Sequence, residues 1–226
     1  MSREVTAALE ADLDWRVAEL ASLKINAASA QRETVAHQAL LRALWALLYA
    51  HYEGFVKVAW DLHLDAIQLG QHPRNRLQLP IALFSLAKTF QTHQGDLSPR
   101  GIWSFHNATL PTAVSAPAQF DNRLDTQSNL WPQLLEENCA TIGISIPSLQ
   151  ENYAKLRTLV GRRNEIAHGR RLVVNSIEDY DKYERAAFAV MYELAYEVHG
   201  LLESGGYLTG APETRNAAGE AGRAGV

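Results

Sequence analysis

Apolar residues recur at three- and four-residue intervals along most of the chain, which is the spacing of an amphipathic α-helix. The first series predicts a helix over about residues 4–25 and consists of Leu9, Leu13, Val17 and Leu20. A second helix is expected from near Thr34 to Leu69, and it is apolar on most of its surface. A helix of that kind is typical of the centre of a bundle.

The rest of the chain continues the helical pattern. Pro80 is expected to open a short helix that runs to about Gln94, because proline is tolerated in a first helical turn. "LWPQLLEENCATIG" predicts another short helix, and a long one follows over about residues 148–168. Ser176 is expected to cap the last helix. The sequence therefore predicts an all-α protein: an up-and-down helical bundle of about four to six helices, forming one domain over residues 1–204.

Two segments break this pattern. Residues 95–129 contain three prolines and many turn-forming residues, so we expect a long irregular excursion, packed by Trp103 and Phe105 or placed at a site. Residues 205–226 are small, polar and rich in Gly and Ala. Such a composition predicts a disordered, flexible C-terminal tail.

Composition restricts the setting of the protein. The 226 residues include one cysteine, Cys139, so neither an intrachain disulfide nor a cysteine-based metal site is possible. The charged start, "MSREVTAALEADLDW", is unlike a secretory signal. No stretch reaches the ~18 uninterrupted apolar residues of a membrane span. We therefore expect a cytoplasmic protein that does not enter a membrane.

Charge is distributed unevenly. The formal net charge is −4, which gives no general support to nucleic-acid binding. One segment, however, has a single acid, Glu165, and six basic residues: Lys155, Arg157, Arg162, Arg163, Arg170 and Arg171. Charge alone leaves two interpretations open, a solvated helix face and a patch that binds phosphates.

Arg163 is unusual within this segment, because it falls on the apolar stripe of its helix. The other stripe positions are compatible with a core and comprise Leu149, Tyr153, Leu156, Val160 and Ala167. An unpartnered buried guanidinium costs several kcal/mol. Three explanations remain open: a buried carboxylate, for which Glu53 is the best candidate, a cleft at this point, or contact with another subunit.

The neighbours of Arg163 suggest chemistry. On an ideal helix Asn164 and His168 lie to one side of Arg163, with only the small Ala167 between. Arginine offers a cationic fork to phosphate oxygens, and histidine exchanges a proton near neutral pH. The group suits a phosphodiester. The alternative is structural: His168 bonds the last carbonyls of the helix, and Arg163 pairs with Glu53.

At this point the sequence resembles a known family. "RNEIAH" is similar to the Arg-x4-His motif, in its RNxxxH form, of the HEPN superfamily. "LLYAHYEGFVKVAWDL" and "TQSNLWPQLLEENCATIGI" resemble segments of its MAE-type, RiboL-PSP-HEPN-like branch. The resemblance covers roughly residues 30–205.

The resemblance implies a metal-independent endoribonuclease without a cofactor, of a toxin–antitoxin or phage-defence system. It implies that Arg163 stabilises the scissile phosphate while the RNA 2′-hydroxyl attacks, leaving a 2′,3′-cyclic phosphate. His168 then transfers protons, Asn164 holds the histidine or the phosphate, and Glu53 supports the site. It also implies a homodimer with a composite active site, RNA as partner and a possible separate antitoxin protein.

The flanking basic residues are expected to bind RNA, namely Arg162, Arg170, Arg171, Lys155 and Arg157. His51 is interpreted as a packing histidine. After His168 come Gly169 and Arg170 instead of a His-x-Tyr arrangement, so control by adenylylation of that tyrosine is not expected. Two alternatives stay open: a non-catalytic HEPN module that binds nucleotide, RNA or a partner protein, and a helical interaction protein in which Arg163 and Glu53 form a structural pair.

Overall fold

Residues 1–210 are described by a computed structural model, and helices dominate them. In chain order the elements are α1 (Ser2–Ser29), α2 (Val35–Leu69), a 3-10 turn (Arg74–Arg76), α3 (Leu79–Ser85), α4 (Ala87–Gln94), α5 (Pro99–Ser104), a π-helical turn (Phe105–Thr109), α6 (Leu110–Ser115), α7 (Pro132–Thr141), α8 (Pro147–Ala167) and α9 (Ile177–Ser204). Residues 1–210 form no β-strand; they contain two isolated bridges, Pro73 with Pro117 and Leu77 with Leu208. The all-α prediction is confirmed.

The four long helices, α1, α2, α8 and α9, form an up-and-down bundle. Thr6 near the start of α1 contacts His199 near the end of α9 at 2.7 Å, and Lys24 near the end of α1 bonds Asp181 near the start of α9 at 3.0 Å. These two contacts show that α1 and α9 run in opposite directions. The same reversal relates α1 to α2 and α8 to α9.

Helices α2 and α9 occupy the centre, because each of them packs against the other three long helices. The largest fully buried side chains of α2 are aromatic: Trp45, Tyr49, Tyr52, Phe55 and Trp60. The second predicted helix is apolar on most of its surface because it is buried on several sides. Thr34 caps this helix by accepting the His37 N–H at 3.1 Å, and Ser176 caps α9 by accepting the Asp179 N–H at 3.2 Å.

A buried arginine joins α1 to α2. Arg16 pairs with Asp12 at 2.7 Å, and its guanidinium passes close to Gly54, where an added Cβ would lie 3.0 Å from Nη1. Glycine therefore leaves the room that this side chain needs. His51 is buried beside it and stacks edge-on against Trp15 with ring centroids 5.0 Å apart. His51 is a packing histidine, as expected.

The prediction of an irregular segment over residues 95–129 is wrong for residues 99–115, which are helical. Pro99 stands in the first turn of α5, where a missing N–H costs nothing, and Pro111 follows the π-helical turn at the start of α6, so neither proline breaks the helical run over residues 99–115. Phe105 stacks on His93 with centroids 3.9 Å apart, whereas Trp103 is 72% exposed and packs nothing inward. Residues 116–131 are non-helical.

The short helix expected over residues 80–94 is divided at Leu86 into α3 and α4. The prediction that a flexible tail begins at residue 205 is wrong for residues 205–210, which pack against the domain. Gly205 takes a left-handed conformation, φ +67°, and turns the chain back so that Tyr207 enters the core with 5% exposure. Leu208 then bridges to Leu77, and the Thr209 N–H bonds the Arg76 carbonyl at 2.8 Å. The remainder of the predicted tail, residues 211–226, lies outside the described residues.

Within residues 1–210, no helix combines the length and the apolar character needed to cross a membrane.

The burial of Tyr207 gives a first testable prediction. Tyr207→Ala should lower the free energy of unfolding by about 3 kcal/mol, because it leaves a cavity in the core. Tyr196→Ala is the matched control: this side chain is 69% exposed, and its loss should cost less than about 0.5 kcal/mol. Urea denaturation of both variants measures the difference. Equal stabilities would show that residues 205–210 are not part of the folded domain.

Candidate functional site

The end of α8 carries the motif predicted from the sequence. His168 is the C-terminal cap, and Gly169 follows it in a left-handed conformation with φ +70°. The Arg170 N–H bonds the Glu165 carbonyl at 2.9 Å, and the Gly169 N–H bonds the Ile166 carbonyl at 3.0 Å. This pair of bonds is a Schellman motif, which satisfies the last carbonyls by backbone groups. The His168 ring is therefore not needed as a cap.

Arg163 is half-buried and is held by neutral groups. Its Nη1 donates to Asn129 Oδ1 at 3.1 Å and to Asn164 Oδ1 at 2.8 Å. Its guanidinium carbon lies 4.3 Å from the centroid of the Tyr49 ring, which places the cation over the aromatic face. Among residues 1–210, no carboxylate forms an ion pair with Arg163. The side chain thus has fixed partners and keeps its positive charge uncompensated.

Asn129 reaches Arg163 from a tight loop ahead of α7. Gln127 and Ser128 adopt left-handed conformations, with φ +49° and +62°, and the Asn129 N–H bonds the Thr126 carbonyl at 2.9 Å. Two contacts fasten this loop to α2. The Leu130 N–H donates to Tyr49 Oη at 2.8 Å, and the fully buried Thr126 hydroxyl donates to Glu53. We call residues 126–130 the site loop.

Tyr49 therefore serves both partners, with its ring against Arg163 and its hydroxyl bonded to the site loop. Burial is the main reason why the pKa of Tyr49 is raised to about 12, and the Leu130 N–H opposes that rise. The phenol stays protonated and neutral over the physiological range. It contributes a polarised aromatic surface to Arg163 and no negative charge.

The predicted ion pair between Arg163 and Glu53 is not formed. Glu53 accepts the Thr126 hydroxyl and lies 3.4 Å from Lys57 Nζ. Its position on α2, one turn beyond Tyr49, directs it to the site loop, so it supports Arg163 through that loop. A direct carboxylate partner would have neutralised the arginine; the loop holds the arginine without doing so.

The structure brings two of the three motif residues into direct contact. Asn164 touches Arg163, and its side-chain oxygen is engaged there instead of at the histidine. His168 is exposed, and among the described residues its ring has no hydrogen-bond partner; only its N–H is bound, to the Asn164 carbonyl at 3.0 Å. The imidazole is free to meet a ligand or a second subunit.

Arg162 packs against neighbouring helices, and its expected RNA contact stays a prediction. Its Nη1 lies 3.4 Å from Asp179 Oδ2, and its guanidinium carbon lies 4.5 Å from the centroid of the Trp45 ring and 5.5 Å from that of Tyr183. These contacts tie α8 to α9 and α2. The Arg162 cation also helps to hold the pKa of Asp179 low, after the larger effect of its bond to Lys182.

The other basic residues are divided between two places. Arg170 and Arg171 are exposed just beyond His168, and Arg170 has only a distant contact with Glu165, at 4.0 Å. Lys155 and Arg157 are exposed on α8, on the order of 10 Å before Arg163 along the helix axis. Arg170 and Arg171 therefore adjoin the motif, whereas Lys155 and Arg157 lie earlier on α8, away from it.

Sequence reasoning missed Tyr49, Thr126 and Asn129. The segment "TQSNLW" contained the signal, since its turn-forming residues close the stretch interpreted as irregular and directly precede a predicted helix. No spacing rule relates Asn129 to Arg163, because they are 34 residues apart and meet only through the tertiary fold. Among the residues described, no group of three or more His, Cys, Asp or Glu side chains is arranged to hold a metal ion.

The geometry defines a helical-bundle protein with an Arg-Asn-x3-His motif at the end of its third long helix. The model of the MAE_28990-like HEPN family matches residues 5–207, which is nearly the whole described chain, so the protein belongs to this HEPN family. Membership indicates a nuclease-like or nucleotide-binding module. No curated protein and no solved structure matches the chain significantly.

The packing of Arg162 can be tested separately from the chemistry of Arg163. Arg162→Ala should lower the free energy of unfolding by about 1–2 kcal/mol, because it removes the contact with Trp45 and the partner of Asp179. Arg171→Ala, which changes an exposed arginine of the same basic segment, should stay within about 0.5 kcal/mol of the parent. Chemical denaturation compares them, and equal losses would contradict the packing role.

Proposed function

We propose that this protein is a metal-independent endoribonuclease of the HEPN type. The observation that carries the proposal is the uncompensated charge of Arg163, which is held in place by Asn129, Asn164 and the Tyr49 ring. Charge developing on a phosphate in the transition state is stabilised best by a donor that is already fixed. Family membership supports the same assignment, because the family suggests a nuclease-like or nucleotide-binding module.

In the proposed reaction, the 2′-hydroxyl oxygen of the RNA bonds to the adjacent phosphorus and gives up its proton. The bond from phosphorus to the 5′-oxygen of the next nucleotide breaks, and that oxygen takes a proton. The products are a 2′,3′-cyclic phosphate and a 5′-hydroxyl. His168 exchanges these protons, since an imidazole can act both as a general base and as a general acid. Arg163 binds the non-bridging phosphate oxygens, and Asn164 keeps Arg163 oriented.

We further propose that two chains associate with their motif ends facing each other. The exposed position of His168 supports this arrangement, because one imidazole accepts the proton of the nucleophile and a second one protonates the leaving oxygen. Glu53 supports the site through the site loop. Arg170 and Arg171 guide RNA towards it, with Lys155 and Arg157 farther along α8. A toxin–antitoxin or phage-defence role, with a separate antitoxin protein, completes the proposal.

One observation favours a second candidate, a non-catalytic HEPN module that binds nucleotide, RNA or a protein. Asn164 holds Arg163 and does not orient the His168 ring, which has no hydrogen-bond partner among the described residues to fix its tautomer. Binding through Arg163 needs no oriented histidine. The two candidates differ in the product: only the enzyme generates new RNA ends.

The test is cleavage of an end-labelled RNA in the presence of EDTA, with the new ends identified by mass spectrometry. We expect 2′,3′-cyclic phosphate and 5′-hydroxyl ends. His168→Ala should reduce the cleavage rate by about 100-fold or more, because proton transfer is lost. Arg163→Ala should reduce it by a similar factor, because a phosphate donor is lost.

His106→Ala is the matched control, since this histidine is exposed on the π-helical turn and should not affect the rate. The absence of cleavage by the parent protein, or RNA binding that survives His168→Ala without any cyclic-phosphate product, would favour the non-catalytic module.

A further inference from the structure

A groove lies beside the motif, between the start of α2 and the segment that follows His168. Its volume is about 610 Å³, which is within the usual range for a small-ligand site. One side is formed by the beginning of α2 and the residues before it, and the other by Gly169, Arg170, Arg171 and Val173, with Ile166 of α8. Gln38 joins the two sides: its amide donates to the Val174 carbonyl at 3.1 Å and accepts the Val174 N–H at 3.4 Å. The groove is therefore built into the fold.

The charge of the groove is positive. Arg42, Arg170 and Arg171 line it, and one acid, Glu33, lies with them. Arg42 is half-buried, and within residues 1–210 its guanidinium forms neither an ion pair nor a hydrogen bond. Burial without a partner is costly for a guanidinium, so this position is suited to an anion that arrives from outside the chain. Arginine in such a setting binds phosphate oxygens in two-pronged fashion.

The rim of the groove is apolar. Val35 is 85% exposed and Val173 is 60% exposed, on opposite sides. Exposed β-branched side chains beside arginines fit a ligand that has both a flat apolar part and a phosphate. A nucleotide has both parts: its base packs against an apolar or aromatic surface and its phosphate meets the cation.

The groove also has the right relation to the motif. Arg42 and Tyr49 are seven residues apart on α2 and so share a face, on the order of 10 Å apart along the helix axis. Tyr49 carries Arg163, and Gly169 links the groove to His168. A single strand held at Arg163 can therefore reach Arg42.

We propose that this groove is a nucleotide subsite, in which Arg42 holds a phosphate of the RNA that flanks the bond to be cleaved. The position of this phosphate beside the scissile bond rests on the proposed ribonuclease function; the binding of a nucleotide by the groove does not. Thr34 offers no free donor to the ligand, because its hydroxyl already donates to the Gln31 carbonyl at 2.7 Å and accepts the His37 N–H at 3.1 Å. Arg42, Arg170 and Arg171 recognise the phosphates, and Val35 and Val173 pack against the nucleobase.

The experiment measures binding of a fluorescent 2′-O-methyl RNA oligonucleotide, which lacks the 2′-hydroxyl nucleophile and cannot be cleaved. Arg42→Met keeps the apolar stem of the side chain and removes its charge. It should weaken binding roughly tenfold, as expected for the loss of a hydrogen bond to a charged group. It should also reduce the slope of log K against log salt by about one.

Arg76→Met is the matched control. Arg76 is exposed beyond the far end of α2, and its replacement should leave both the affinity and the salt slope unchanged. Thermal unfolding of both variants verifies the fold. A second arm adds adenosine monophosphate as competitor: displacement of the oligonucleotide identifies a site for single nucleotides, and failure to displace it identifies a site for a continuous strand.

Unchanged RNA binding by Arg42→Met would overturn the proposal. If that variant also lost self-association while its RNA affinity stayed intact, the groove would be a protein interface. The outcome is separable from that of the proposed function. A parent protein that cuts no RNA but binds it through Arg42 retains the subsite and loses the enzyme. Cleavage together with an unaffected Arg42→Met variant retains the enzyme and loses the subsite.

Discussion

The contact of the Arg163 guanidinium with the Tyr49 ring and two asparagine oxygens is the interaction on which the site depends. A half-buried arginine is normally stabilised by a carboxylate, which would cancel its charge. Here an aromatic face and amide oxygens satisfy its geometry and leave the charge available. The cost of this arrangement is lowered because the partners are themselves fixed: Tyr49 by burial on α2, and Asn129 by the site loop.

Several features of α2 can be understood from this requirement. Tyr49 supports Arg163, Glu53 holds the site loop through Thr126, and Gly54 makes room for Arg16, which ties α1 in place. One helix therefore connects the motif on α8 with the loop before α7 and with the N-terminal helix. The stretch "LLYAHYEGFVKVAWDL" combines these tasks, so its polar residues are explained by specific contacts within an otherwise apolar helix.

The sequence predicted what depends on short-range periodicity and failed where tertiary contacts decide. The long helices and the cap at Ser176 follow from local signals, and the misfit of Arg163 was visible in the helical phase alone. The predicted partner of Arg163 was wrong, because a carboxylate on α2 was the best chemical candidate and no sequence spacing indicated Asn129. Residues 99–115 were misread because proline opens a helix as readily as it ends one. Tyr207 was assigned to a tail because its small neighbours hide the single residue that enters the core.

The central claim, that Arg163 acts through a charge which its neighbours leave uncompensated, is tested most directly at Asn129. Asn129→Asp keeps the shape of the side chain but places a carboxylate at the position 3.1 Å from Arg163 Nη1, whereas Asn129→Ala removes the contact without adding charge. The measurement is kcat/KM for RNA cleavage by both variants, with RNA affinity and stability determined in parallel. The account predicts that the aspartate lowers kcat/KM more than the alanine does, on the order of tenfold to a hundredfold below the parent, without a matching loss of stability. An aspartate variant as active as the parent, or more active than the alanine variant, would contradict it.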